Sequence, residues 1–215
     1  MARRLDLVLY AITEKKYSRG RSFKELMESC LKGGASAVQL RDKDASTREL
    51  VKEAIELRSL THAYSALFIV NDRVDVALAA SADGVHLGID DLEPGLARKL
   101  LGPDKIIGKT VRSTVEASEA ELQGVDYISA GSIFKSETKD APVIGLETLR
   151  DICRVSSLPV VAIGGIKLEN VGSIFDMGAI GVAVAKELLD FQDIEVRARS
   201  FKAVIDELDS ETAGK

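Results

Sequence analysis

Residues 36–72 read SAVQLRDKDASTRELVKEAIELRSLTHAYSALFIVND, and this stretch decides the fold. An apolar run, SAVQLRD (36–42), is followed by TRELVKEAIELRSLTHAY (47–64), whose apolar residues recur at helical spacing. A second apolar run, LFIVND (67–72), closes the unit. Strand, helix and strand joined by short connections describe a parallel strand pair with a crossover helix. Ser46 and Glu49 stand at Ser-x-x-Glu spacing, the signature of a capping box at the helix start.

The same unit repeats in both directions. Strand-like runs are LVLYAIT (7–13), SAVQLRD, LFIVND, GVHLGI (84–89), KIIGKTV (105–111), YISAGSI (127–133), PVVAIGG (159–165) and GVAVAK (181–186), eight in all. Segments of helical period lie between them, among them FKELMESCLKGG, PGLARKLLG, TVEASEAELQG, LETLRDICRVSS and LENVGSIFDMGA, and VRARSFKAVIDELD follows the last run. Ser22/Glu25 and Ser113/Glu116 repeat the capping box, Pro94 suits a first helical position, and Gly33-Gly34, Gly102, Gly124 and Gly178 suit helix ends. Eight strand-helix units with right-handed crossovers predict an α/β protein, a (β/α)8 TIM barrel in a single compact domain over residues 1–215, with 209–215 as a disordered tail. An open doubly wound sheet is the alternative, but no GxGxxG follows the first strand. In either case reactive groups belong at the carboxyl ends of the strands.

With 29 Lys and Arg against 34 Asp and Glu, the chain is mildly acidic, with no general basic surface for nucleic acid or a membrane. No apolar run is long enough to span a bilayer, and MARRLDLVLY is too broken for a signal peptide, so the expected location is cytoplasmic. Cys30 and Cys153 sit far apart in helical segments and read as core thiols; His62 and His86 lack partners at zinc-ligand spacing.

In strand 2, Gln39, Arg41 and Lys43 alternate with Val38 and Leu40. Alternation sends the apolar pair toward the helices and the amide, guanidinium and ammonium toward the barrel mouth. Two cations there call for an anion, the alternative being surface pairs with Asp42, Asp44 or neighbouring helices. Strand 3 ends in Asn71-Asp72 and strand 4 is followed by Asp90-Asp91. Asn71-Asp72 alone reads as a helix N-cap; carboxylates from two neighbouring strand ends beside cations also suit Mg²⁺ on a diphosphate. The run GSIFKSETKDAPVIG (131–145) is long for a connection and offers Ser136, Thr138 and Lys139 to a phosphate. Gly164-Gly165 and Ala185-Lys186 follow strands 7 and 8, the usual phosphate site of such barrels. His86 reads as a hydrogen-bonded interior residue.

LYAIT, QLRDK, VND, GVHLGIDD, the SETK loop, VVAIGGI and GVAVAK together give the chain a resemblance to the thiamine phosphate synthases, from strand 1 through strand 8. Those transferases of thiamine biosynthesis join a hydroxymethylpyrimidine diphosphate to a thiazole phosphate and release diphosphate. The resemblance implies Gln39, Arg41, Lys43, Asn71, Thr110 and Lys139 for the pyrimidine diphosphate, the run Gln39 to Lys43 bringing Leu40 and Asp42 with it. It implies Asp72 and Asp91 for Mg²⁺, with Asp90 left at the surface. Ser136, Glu137 and Thr138, Gly165, and the backbone of Ala185 and Lys186 fall to the thiazole phosphate. Arg41, Lys43 and Lys139 are the expected catalytic residues. The expected partners are thus small molecules, and a homo-oligomer is compatible with the sequence.

Four positions depart from the family pattern. Thr110 stands for a usual Ser and Ser136 for a usual Thr, both keeping a hydroxyl; Lys186 replaces a small residue, and Arg112 a common His. The last departure bears on a related thiazole tautomerase of the same fold, which uses a His on this segment as its base. Arginine cannot be that base. A catalytically silent phosphate-binding regulator is the alternative of another class.

Overall fold

In the computed structural model, residues 5–138 and 141–213 are described. Strands β1 (Leu9–Ile12), β2 (Ala37–Leu40), β3 (Leu67–Asn71), β4 (Gly84–Leu87), β5 (Ile106–Val111), β6 (Tyr127–Gly131), β7 (Val160–Ile163) and β8 (Gly181–Val184) form a closed parallel barrel in sequence order. Closure is made by β1 on β8, where Tyr10 lies opposite Ala183. The predicted (β/α)8 architecture is therefore the observed one, and the open sheet is excluded.

Around the barrel run α1 (Phe23–Lys32), α2 (Thr47–Ala63), α3 (Val74–Ala79), α4 (Pro94–Leu101), α5 (Thr114–Leu122), α6 (Gly145–Val155), α7 (Val171–Phe175), α8 (Lys186–Leu189) and α9 (Ile194–Ala213). In α1 the buried residues Phe23, Leu26, Met27, Cys30 and Leu31 form one stripe against the barrel. The short α3 and α8 are helices that periodicity does not reveal, since six and four residues offer too few turns for a stripe. The last helix continues to Ala213, so the backbone of 209–213, read from sequence as a tail, is helical; 214 and 215 lie outside the described residues.

Ser22 and Ser46 form complete capping boxes. At α5 only half of the box is made. Ser113 accepts from the Glu116 amide, but the Glu116 carboxylate takes the amide of Arg112, one residue earlier than expected. Both cysteines are free thiols, Cys30 buried and Cys153 half-buried, and burial raises both above the ordinary thiol range, as expected of inert core residues. No helix among the described residues is long and apolar enough to cross a membrane.

Two cores share each strand. Val38, Leu40, Phe68 and Val70 face the helices, while Tyr10, Ala37, Ile69 and Tyr127 fill the barrel interior. Above the second set the barrel opens.

Candidate active site

Alternation along β2 does what the sequence predicts: Val38 and Leu40 pack outward and Gln39 points inward, 3% exposed. Beyond the strand, the Thr13 hydroxyl accepts from the Arg41 amide at 2.7 Å and donates to the Arg41 carbonyl at 2.9 Å. This clasp continues the ladder and holds Arg41 on the inward face. Its guanidinium is paired with Glu14 at 2.5 Å, so the predicted surface partners Asp42 and Asp44 are not the ones used. Asp42 instead pairs with Lys15 at 3.5 Å and accepts from the Asp44 amide. Leu40 and Asp42 are thus the two described site candidates that do not line the cavity, because the period-two alternation turns both side chains away.

Asn71-Asp72 is not an N-cap. Asp72 adopts φ +62°, its amide donates to the His86 carbonyl at 2.8 Å, and the residue before α3 is Arg73, which makes no side-chain cap. The turn aims Asn71 and Asp72 into the barrel mouth instead. Lys43 reaches Asp72 at 3.1 Å. Asp91 accepts from the Gly88 amide at 2.6 Å, and Lys109 holds the Gly88 carbonyl from behind. Asp90 is exposed and outside the cavity.

The two carboxyl groups adjoin and shift each other's titration in opposite directions. Burial, then the adjoining Asp91, raises Asp72 above the ordinary range despite Lys43. Burial pushes Asp91 up as well, but it ends below the ordinary range because the Asp72 carboxyl, the Gly88 amide, Lys43 and Lys109 outweigh that effect. Two adjoining carboxyl groups whose charges oppose each other are an arrangement that a divalent cation would relieve.

Across the mouth, the Gly164-Gly165 turn packs under the start of the β6–α6 connection, where the Phe134 amide donates to the Gly164 carbonyl at 3.0 Å. Gly165 has φ +64°, and a Cβ there would lie 2.6 Å from the Lys135 carbonyl oxygen; only glycine fits. Ser136 accepts from the Thr138 amide at 3.2 Å, and Glu137 pairs with Lys186 at 2.6 Å. Lys139 lies outside the described residues.

Gln39, Arg41, Lys43, Asn71, Asp72, Asp91, Thr110, Ser136, Glu137, Thr138, Gly165, Ala185 and Lys186 all line one cavity of about 200 Å³. Glu14, Lys135, Lys167 and Glu187 also line it without a site role in the sequence reading, and Arg112 lines it too, noted from sequence only as a departure from the family pattern. Glu14 shares the inward face of Tyr10 and Ile12 by period two, a signal the sequence does contain. Arg112 stands on the mouth with its Nε buried and unpartnered among the described residues. His86 is the interior hydrogen-bonded residue expected, 4% exposed, between Tyr127 and Thr110, and it also reaches the cavity floor.

Residues 9–188 match the family described as thiamine monophosphate synthase. The chain belongs to that family. A thiamine-phosphate synthase of Chloroflexus aurantiacus is 44% identical over 94% of each chain. One of Pyrococcus abyssi is 44% identical over 97% of this chain and 99% of its own. The solved thiamine phosphate pyrophosphorylase of Pyrococcus furiosus superposes with a TM-score of 0.87 at 42% identity, covering 94% of this chain and 96% of that one. As a thiamine monophosphate synthase family member, the chain is a transferase of thiamine biosynthesis built on a TIM barrel.

Proposed function

We propose that the cavity joins a pyrimidine diphosphate to a thiazole phosphate by breaking the bond between the pyrimidine methylene and its diphosphate oxygen and forming one to the thiazole nitrogen. The observation that carries this reading is the sharing of one cavity by two unlike anion sites. On the β2–β4 side are Arg41, Lys43 and the Asp72/Asp91 pair; on the β6–β8 side are a hydroxyl-bearing loop, a glycine turn and backbone amides.

The donor set on the first side fits Mg²⁺. Two adjoining carboxylates are hard oxygen ligands, and magnesium ordinarily takes one or two of them, filling its remaining positions with water and substrate phosphate. Among the described residues no third His, Cys, Asp or Glu joins them, which suits a cation completed by diphosphate. When bound, the ion would neutralise charge on the leaving diphosphate.

The chain's own groups do the rest. Arg41 and Lys43 are already paired with Glu14 and Asp72, so each is positioned before substrate arrives and can turn to the diphosphate as charge accumulates there. Lys139 would serve the same leaving group from the opposite loop. Gln39, Asn71 and Thr110 would hold the pyrimidine diphosphate. Ser136 to Thr138, Gly165 and the Ala185-Lys186 backbone would hold the thiazole phosphate, aligning its nitrogen with the methylene. No nucleophile of the protein is needed; orientation and exclusion of water are.

Protein supplied with both substrates and Mg²⁺ should release diphosphate and form thiamine phosphate, and a chelator should abolish both. Thiazole phosphate binding without turnover would favour the silent regulator. Metal-independent isomerisation of a thiazole carboxylate phosphate would favour the tautomerase.

A further inference from the structure

Beneath the cavity, a chain of hydrogen bonds crosses the barrel interior. The Gln39 Nε2 donates to the Tyr10 hydroxyl at 2.8 Å; Tyr10 and Tyr127 hydroxyls lie 3.2 Å apart; Tyr127 meets His86 Nδ1 at 2.9 Å; His86 Nε2 meets Thr110 Oγ1 at 2.9 Å. Both ends, Gln39 and Thr110, line the cavity. The site is built for this crossing. A Cβ at Gly108 would fall 2.1 Å from Tyr127 Cζ and 2.4 Å from its hydroxyl, so that glycine makes the room in which Tyr127 reaches His86. The two rings stack with centroids 5.6 Å apart and planes at 29°.

We propose that His86 is a positioning residue of this site: as the neutral Nε2–H tautomer it makes Thr110 a hydrogen-bond donor and, through Tyr127 and Tyr10, keeps Gln39 an acceptor toward the same ligand.

The direction follows from counting protons. An amide nitrogen only donates, so the Tyr10 oxygen accepts from Gln39; either phenol could donate across the Tyr10–Tyr127 link, and we assign the Tyr10 proton to Tyr127 because that is the acceptor in reach among the described residues. Burial drives both phenols above their ordinary range and keeps them protonated. Tyr127 then gives its one proton to His86 Nδ1. A ring nitrogen that accepts carries no proton, so the imidazole proton is on Nε2 and goes to Thr110 Oγ1. Thr110 has its own proton left for the cavity, and Gln39 has its Oε1 left.

A phosphate oxygen only accepts. Bound over Thr110, it draws that hydroxyl proton and holds every link in the same sense, which fixes Gln39 as an acceptor on the other side of the ligand. The floor therefore selects a ligand with an anionic group at Thr110 and an N–H donor at Gln39. Resting on the proposed function for the ligand's identity, this means a pyrimidine diphosphate whose ring edge at Gln39 carries an amino rather than an oxo group. An oxo group there would face Oε1, acceptor against acceptor.

The chain has two histidines, and only His62 is exposed, so ring signals are assigned by comparison with His62→Gln. Long-range ¹H–¹⁵N correlations should show His86 with a pyrrole-like Nε2 and a pyridine-like Nδ1, both in the free protein and with inorganic diphosphate and Mg²⁺. The opposite tautomer, or a ring protonated on both nitrogens, overturns the proposal. That readout needs no turnover, so it stands or falls separately from the enzymatic reading. Tyr127→Phe, or the milder Tyr10→Phe, cuts the chain while keeping the ring. Either should lower the preference for an amino over an oxo pyrimidine diphosphate, read as kcat/KM, by about tenfold, since a polar site discriminates through groups left unpaired. The KM for thiazole phosphate should hold. Unchanged discrimination in a folded variant overturns the coupling.

Discussion

The two ends of the barrel use the same residue types to opposite effect. At the amino ends of the strands, the residue before β2, β4 and β6 reaches to the preceding strand. Ser36 accepts from the Leu9 amide at 3.3 Å, Asp83 from the Phe68 amide at 2.9 Å, and Asp126 from the Ile107 amide at 2.7 Å. Each aspartate is also met by an arginine of an outer helix: Asp83 by Arg58 at 3.0 Å, Asp126 by Arg98 at 2.6 Å. These charges are saturated by protein. At the carboxyl ends, two carboxyl groups stand against each other, Lys43 is half exposed, and the Arg112 Nε has no partner among the described residues. Saturated polar groups stabilise the fold, whereas groups left wanting are what a ligand completes.

Substitutions at the two ends should therefore separate activity from stability. The largest effect is expected for Asp91→Ala, which removes a carboxylate from the mouth. Turnover should fall about 10²-fold or more, the scale of losing a group that stabilises transition-state charge, with little change in Tm. Unchanged metal dependence in the steady-state assay would break the ligand assignment. Asp72→Asn sharpens the point through its sign. Because the folded-state pKa of Asp72 is raised, ionising it costs stability at neutral pH, and that cost is relieved as pH falls through the folded pKa. The variant should lose turnover yet melt higher than wild type at pH 7, with the gain vanishing in acid; a lower Tm at neutral pH would contradict it. At the other end, Asp83→Ala orphans the Phe68 amide and Arg58 together. It should cost about 2–3 kcal/mol in denaturant unfolding while kcat of the folded protein is kept. A variant that kept its stability but lost turnover would erase the distinction between the ends.

This division explains what the sequence could reveal. The barrel was legible because strand and helix periods are local, and β2 showed its inward face since Gln39, Arg41 and Lys43 alternate with apolar residues. The cavity's main residues were legible by the same rule. The capping alternative for Asn71-Asp72 could not be dismissed from the pair alone, because the positive φ of Asp72, set by its bond to the strand 4 backbone, is a tertiary fact. Glu14 was legible in principle, two places beyond Ile12, but its partner Arg41 lies on another strand. The chain from Gln39 to Thr110 joins five strands, and no spacing within one strand announces it. The amino-end clasps were missed for a similar reason: an aspartate before a strand looks like any turn residue until the neighbouring strand is in place.

A smaller effect is expected at Arg112, the cation on the mouth with a donor to spare. Arg112→Met keeps much of the apolar stem and removes the charge. It should weaken binding of one anionic substrate about tenfold, the low end of a hydrogen bond to a charged group, and leave Tm unchanged. Titrating each substrate separately by calorimetry identifies which anion it serves. Equal affinities for both in variant and wild type would mean that its unsatisfied donor is merely tolerated, and the contrast between the ends would lose its clearest instance.

The smallest effect tests the contrast at its weakest place. Lys186 and Glu137 form an ion pair at the mouth, a third such pair there beside Arg41–Glu14 and Lys43–Asp72. Glu137 is largely exposed, at 69% of its side chain, and solvent screens such a pair. Unlike Arg41 and Lys43, whose partners Glu14 and Asp72 are largely shielded, Lys186 pairs with an exposed carboxylate, and the expectation is that its residue contributes to ligand binding through the backbone alone. Lys186→Ala retains that backbone. The KM for thiazole phosphate should then change by no more than about threefold, comparable to breaking one exposed pair, and should lose its dependence on ionic strength only slightly. A rise well beyond that, abolished in Lys186→Arg, would show the ammonium turning from Glu137 to the phosphate, and the pair would then be a resting position rather than a structural bond.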